Sequence, residues 1–240
     1  MKMLMRMKTM IHSIKRPIWG LISGYRSRKV MGYCHPTAQI NYPVYGLCKE
    51  LYFAEYTRMQ PWTKFIIAPN GGKVYWKKYS GGGINLTVIT GNHRPTVGVP
   101  QFFLGPTHVN DVEKDVIVEE DVWFGANVTL LAGTHIGRGC ILGACTLANK
   151  EYPPYAVLGG NPARIIAVKF SIDQIIEHEK ALYSEEERFS REYLEELFEK
   201  YYQGMKVVGT SELSQEDMTK LDGWKKEYME HCGYSSVTRI

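Results

Sequence analysis

Seven histidines are spread along the 240 residues of this chain, and two of them, His93 and His108, share one stretch with Asn92, Arg94, Phe102 and Phe103. An imidazole that is neutral near physiological pH can take a proton from a hydroxyl as a new bond forms, which suits a histidine to general base catalysis. His93 opens this stretch directly after a strand-like run and is the first candidate for the base; His108 is the competitor. His135 lies inside a regular repeat and reads as an outward-facing wall residue. His12, His35, His178 and His231 have no partner that the order of residues suggests. The five cysteines, Cys34, Cys48, Cys140, Cys145 and Cys232, are odd in number and include no Cys-x-x-Cys pair. They point to a reducing cytoplasm and away from structural zinc.

What must position these groups is a repeat. Val112, Val118, Phe124, Leu130, Ile136, Leu142 and Ala148 recur every six residues, and Val116, Val122, Val128, Thr134, Cys140 and Thr146 form a second column four residues after each of the first six. A helix of 3.6 residues per turn would smear a six-residue spacing around its circumference, whereas short strands joined by corners keep it on one side. Three hexapeptides then close one triangular coil of eighteen residues, stacked on the next by parallel strand pairing about 4.8 Å apart. Gly125, Gly137 and Gly143 follow the apolar column and are expected at crowded or strained backbone positions.

The same step is traceable earlier at Phe53, Met59 and Phe65 with Thr57 and Thr63, and again at Trp76, Gly82 and Val88 with Ser80 and Leu86. Between residues 90 and 111 it lapses, because its register falls on Arg94, Pro100 and Pro106. An excursion of that length in a compact repeat is usually functional. After Arg164 the pattern turns helical. Ser171 with Gln174 and Ser184 with Glu187 read as capping boxes, Phe189, Tyr193, Leu197 and Tyr201 as one helix face ended by Gly204, and Ser214 with Asp217 as a third start carrying Met218, Leu221, Lys225 and Tyr228. These helices are expected to cover the bare edges of the last coil.

The run Val122-Trp123-Phe124-Gly125-Ala126-Asn127-Val128, then Ile136-Gly137-Arg138-Gly139, then residues 153–164 ending Gly159-Gly160-Asn161-Pro162-Ala163-Arg164 resembles the hexapeptide-repeat acyltransferases. The branch in view holds chloramphenicol and streptogramin acetyltransferases and polysaccharide O-acetyltransferases. The resemblance implies an all-β left-handed parallel β-helix with an extended catalytic loop, a basic N-terminal segment and C-terminal α-helices. It matches Asn92-His93-Arg94 to the element that holds the catalytic histidine and implies acetyl-CoA as co-substrate. Trp123, Gly125, Gly143 and Ala144 would line the pantetheine channel, and Lys150, Pro162 and Arg164 would meet the nucleotide end. A backbone N–H of a neighbouring coil would meet the oxyanion, with Gly125 and Gly143 allowing close approach. Asn92, Arg94, Phe102, Phe103 and His108 are the acceptor-side candidates. No metal is expected: the γ-type carbonic anhydrases on this fold need three converging histidines, two of them close in sequence, and no such pair exists here.

Two departures from the family pattern stand out. After Arg94 the chain reads Pro95-Thr96-Val97-Gly98-Val99, which speaks against an antibiotic acceptor, and Cys145 stands where Gly, Asn or Ser is commoner, packing being its expected role. The resulting division is 1–32, a basic segment without Asp or Glu; 33–169, the coil with loop 90–111; and 170–240, a helical and acidic extension. The basic segment reads first as a solvated arm that plugs the coil or packs on a neighbouring subunit, and second as an amphipathic helix in weak contact with an anionic membrane surface. The expected protein is a cytoplasmic homotrimer that acetylates a sugar hydroxyl in cell-surface polysaccharide assembly, without a nucleic-acid partner. Antibiotic acetylation is the runner-up, and a non-catalytic β-helix scaffold the third reading.

Overall fold

The computed structural model describes residues 28–231, and within it the six-residue period becomes three parallel walls. The first wall stacks Tyr33–Cys34, Leu51–Phe53, Val74–Trp76, Val116–Val118, His135–Ile136 and Glu151–Tyr152. The second carries Gln39–Ile40, Arg58–Met59, a single bridge at Gly81, Trp123–Phe124, Ile141–Leu142 and Ala156–Gly159. The third carries Val44–Tyr45, Thr63–Ile66, Thr87–Ile89, Thr129–Leu130 and Leu147–Ala148. Val118 lies opposite Ile136, Phe124 opposite Leu142 and Leu130 opposite Ala148, so one coil is eighteen residues. Both columns point inward and are buried, from Val118 to Ala148 and from Val116 to Thr146. Each large aliphatic side chain taken out of water there stabilises the coil by roughly 1.5–3 kcal/mol. Val112 departs from the expected column: it is half-buried and belongs to the excursion instead of a wall.

Of the three glycines, Gly125 and Gly137 stand at crowded positions as expected, and none of the three takes the strained one. Left-handed backbone falls two residues after Gly125 and Gly143, at Asn127 (φ 60°) and Cys145 (φ 61°), and two after Gly137 at Gly139 (φ 71°). Gly125 and Gly137 are crowded, because a Cβ on either would come within 2.6 Å of a backbone nitrogen in the next coil. The left-handed corner also explains why Gly or Asn is commoner where Cys145 stands. Cys145 occupies a position that Asn fills one coil below, and its side chain is exposed, not packed.

Residue 88 lies beneath residue 130, a step of 42 where a plain coil takes 18, and the surplus is the excursion. It leaves the third wall as Gly91–His93, pairs antiparallel with the returning Asp111–Glu113, and holds a short helix, Gln101–Thr107, anchored by the buried Leu104. At the other end, the segment just after Arg164 is strand, not helix: Arg164–Val168 folds back antiparallel on Ala156–Gly159. The helical extension starts at Ile172–Leu182, capped by the expected Ser171–Gln174 box, and Ser184–Glu187 caps a single 3₁₀ turn. In the following helix, Arg191–Tyr201, the buried side chains are Leu194 and Leu197, while Tyr193 and Tyr201 are partly exposed. The last helix, Gln215–His231, leaves Met218 and Leu221 exposed and returns to the early coils, where Tyr228 packs near Tyr56 and Arg58 lies over the Trp224 ring. No helix among the described residues is long and apolar enough to cross a membrane. The basic segment up to residue 27, His12 and Cys232 lie outside the described residues, as does the side chain of His231.

Candidate active site

The excursion brings three titratable side chains together. Antiparallel register sets Asp111 directly across from His93, and the Nδ1 of His93 lies 2.8 Å from Asp111 Oδ1. His108 caps the short helix in left-handed conformation (φ 52°) and places its own Nδ1 2.9 Å from Asp111 Oδ2, with the two imidazole centroids 5.4 Å apart. An ionised carboxylate only accepts, so both imidazoles carry their proton on Nδ1, and Nε2 of a neutral His93 keeps its lone pair. The hydrogen bond from His93, seconded by that from His108, holds the Asp111 carboxyl below the usual range. The base of the hairpin is braced: Asn70 N donates to Glu113 Oε1, Lys73 N to Asp115 Oδ1 and Lys114 N to Thr90 O. Its tip carries Phe102 and Phe103, exposed by 79% and 58% and packed edge to face. Asn92 and Arg94 flank His93 and are exposed.

A second feature lies at the corner between the second and third walls. At that corner Trp62, Asn85, Asn127 and Cys145 each donate a backbone N–H to the coil before, to Pro43, Pro61, Ile84 and Ala126 respectively. Pro43 and Pro61 occupy the position that Ile84, Ala126 and Ala144 hold in later coils, so the ladder has no use for an N–H there. The Ala144 amide accordingly donates to no partner among the described residues. Gly125 leaves it open, because a Cβ on Gly125 would sit 2.6 Å from Ala144 N. The amides of Gly125 and Gly143 themselves are already spent on Leu142 O (2.7 Å) and Leu158 O (2.8 Å). Trp123, 54% exposed on the second wall, lies over Gly81.

Around the top of the third wall, Leu147 is bracketed by hydrogen bonds to Gly160 O and from Ala163 N, which sets the exposed Pro162 and Arg164 over that strand. Lys150 is exposed just beyond, its Nζ 5.7 Å from the Tyr152 ring. The structure therefore gathers the channel candidates at one corner and His93 with Asp111 and His108 at the other end of the third wall. No hydrogen bond, ion pair or ring contact joins the two groups among the described residues. Asp111 escaped the sequence reading because it lies eighteen residues from its partner and only the hairpin register joins them. Elsewhere, His135 is half-buried and paired with Glu119 (2.9 Å), His178 with Asp121 (3.0 Å) and His35 with Thr37 (2.8 Å). Cys140 is no nucleophile, because burial pushes its thiol up to about 12.

Residues 115–149 match the family described as "Bacterial transferase hexapeptide (six repeats)". The matched repeats fall on the three-walled coil, which has the left-handed parallel β-helix fold. Among curated relatives, it is 38% identical over 61 residues to a chloramphenicol acetyltransferase of Agrobacterium fabrum, covering 25% of this chain and 29% of the relative. It is also 38% identical over 97 residues to a probable macrolide acetyltransferase of Lysinibacillus sphaericus, covering 36% of this chain and 54% of the relative. The matches thus span between about a third and about half of these relatives. A crystal structure of a hexapeptide-repeat-containing acetyltransferase of Vibrio cholerae, complexed with acetyl coenzyme A, shares the fold at a TM-score of 0.51 and 21% identity, over 59% of this chain and 73% of that one.

Proposed function

We propose that this protein is an acetyl-CoA-dependent O-acetyltransferase with His93 as general base and a sugar hydroxyl as acceptor, in cell-surface polysaccharide assembly. The carrying observation is the His93–Asp111 pair, which orients the imidazole and leaves Nε2 free to accept a proton. As the acceptor oxygen attacks the thioester carbonyl, its proton passes to His93 Nε2, the C–S bond breaks and the proton is released to the coenzyme thiolate; no metal is required. The Ala144 amide is a preorganised donor for the carbonyl oxygen or the pantetheine chain. Trp123, Gly125 and Gly143 would line the channel, with Lys150, Pro162 and Arg164 toward the nucleotide. The paired rings of Phe102 and Phe103 beside Asn92, Arg94 and His108 offer apolar faces of the kind that stack on sugar rings.

The relatives named above favour a second reading, a drug hydroxyl as acceptor. Coenzyme release measured with acetyl-CoA and a panel of neutral sugars, amino sugars, oligosaccharides, chloramphenicol and streptogramin separates the two. Turnover of a glycan is the expected result; turnover of drugs alone overturns the sugar reading. His93→Ala is expected to lower the rate by about 10²–10⁴-fold while coenzyme binding persists. The same loss in His108→Ala with His93→Ala active would transfer the role to His108.

A further inference from the structure

We propose that His93, Asp111 and His108 form a binding site for a zinc-class divalent ion, and that filling it switches the His93 base off. One donor atom from each of the three lies within 4.8 Å of the other two. A tetrahedral ion with ligands at about 2.0–2.1 Å sets them roughly 3.3 Å apart, inside that limit. Two imidazole nitrogens and one carboxylate, with the fourth position open to water, suit zinc, cobalt or nickel better than magnesium or calcium. The groups are also held in advance: Asp111 is fixed by the hairpin, with a side chain only 5% exposed, while His93 and His108 are about 40% exposed and open to an arriving ion.

The switch follows from proton placement. In the free protein both Nδ1 atoms donate to Asp111. An ion that takes the Nδ1 lone pair of a neutral imidazole requires the Nδ1 proton to leave, and the ring takes one up from solvent at Nε2. Proton count is conserved, but the Nε2 lone pair that would accept the hydroxyl proton has become an N–H. The ion-binding half stands without any assumption about the reaction, and the switching half rests on His93 being the base.

Purified full-length protein, stripped with a chelator, is titrated with Zn²⁺ in a calorimeter and with Co²⁺ in a spectrophotometer. The expected result is one site per chain, cobalt bands of a nitrogen–oxygen tetrahedral set, and zinc binding weakened at least about tenfold in His108→Asn and in Asp111→Asn. Asn suits the left-handed backbone at residue 108, and circular dichroism with thermal melts confirms that each variant is folded. Sulfur-to-cobalt charge-transfer bands, indicating a cysteine ligand, or unchanged zinc affinity in both folded variants would overturn the site. If the site binds, coenzyme release is measured with and without zinc. Inhibition that chelator reverses, and that the residual activity of folded His108→Asn no longer shows, supports the switch. Undiminished turnover at saturating zinc overturns it. Zinc binding by a protein that transfers no acyl group would leave the site standing and sink the proposed function instead.

Discussion

At the scale of single residues, one local constraint is a charge held at a corner. Asp121 sits in left-handed conformation (φ 54°), and its Oδ2 accepts from Lys169 Nζ at 2.6 Å and from His178 Nε2 at 3.0 Å. Burial alone would raise this carboxyl; the hydrogen bond from His178 and the charge of Lys169 outweigh it and hold it below the usual range. A carboxyl depressed in the folded state contributes stability above its unfolded value of about 3.9, lost as pH falls through the folded value. Asp121→Asn keeps a residue that tolerates the backbone but removes the charge. It should therefore cost about 1–3 kcal/mol near neutral pH. Melting curves of variant and parent should converge as pH falls below about 4; a constant gap down to pH 2 would show that packing, not ionisation, is at stake. Little of this was legible in the sequence. Lys169 and His178 lie far along the chain from Asp121, and what joins them is the return strand Arg164–Val168 and the helix after it. The Asp111 pairing was hidden for the same reason: such contacts have no period to betray them. His93 could be singled out from sequence because Asn92 and Arg94 flank it directly.

At the scale of elements, the coil was readable because its two columns repeat wherever three walls exist, and every hexad position after Val112 is buried. Val112 itself was misplaced because one apolar residue in register looks the same whether it enters a wall or a hairpin. The helices were legible at their starts, where caps are local, and less so at their faces. Leu197 was on the expected face and is buried, but Tyr193 and Tyr201 drew the rest of the stripe to a partly exposed side, and Leu194 completes the packing. What locks these helices on the last coil is Glu179, 1% exposed. It accepts from Tyr155 Oη (2.9 Å), Arg138 Nη1 (3.2 Å) and Phe189 N (2.6 Å) and so ties coil, helix and connecting turn together. Glu179→Gln should leave Arg138 short of one counter-charge and cost about 3–5 kcal/mol. Denaturant titration measures it, and a change below 1 kcal/mol would mean that the helices are held by their apolar faces alone.

At the scale of the whole molecule, the proposed reaction requires the His93 hairpin and the Gly125–Ala144 corner to meet. Within one chain the width of the third wall lies between the His93 hairpin and the Gly125–Ala144 corner. A threefold assembly in which the hairpin of one subunit reaches the corner of the next resolves this, and light scattering should then give three times the chain mass of 27.4 kDa. Mass alone does not show that sites are shared, but mixing does. Ala144→Pro removes the open amide at a corner where Pro61 already occupies the equivalent position, so it should fold; His93→Ala removes the imidazole proposed as the base. Each variant alone is expected to be nearly inactive. Unfolded together in equal amounts and refolded, they would form mixed trimers. A site is whole when an Ala144→Pro chain supplies the hairpin and a His93→Ala chain the corner, a combination expected at about one quarter of sites in a random trimer. Recovery of about a quarter of the parent activity would establish that each site is built from two chains. A mixture as inactive as its components, with trimers present, would place hairpin and corner of one chain in the same site and require the excursion to fold back across its own wall.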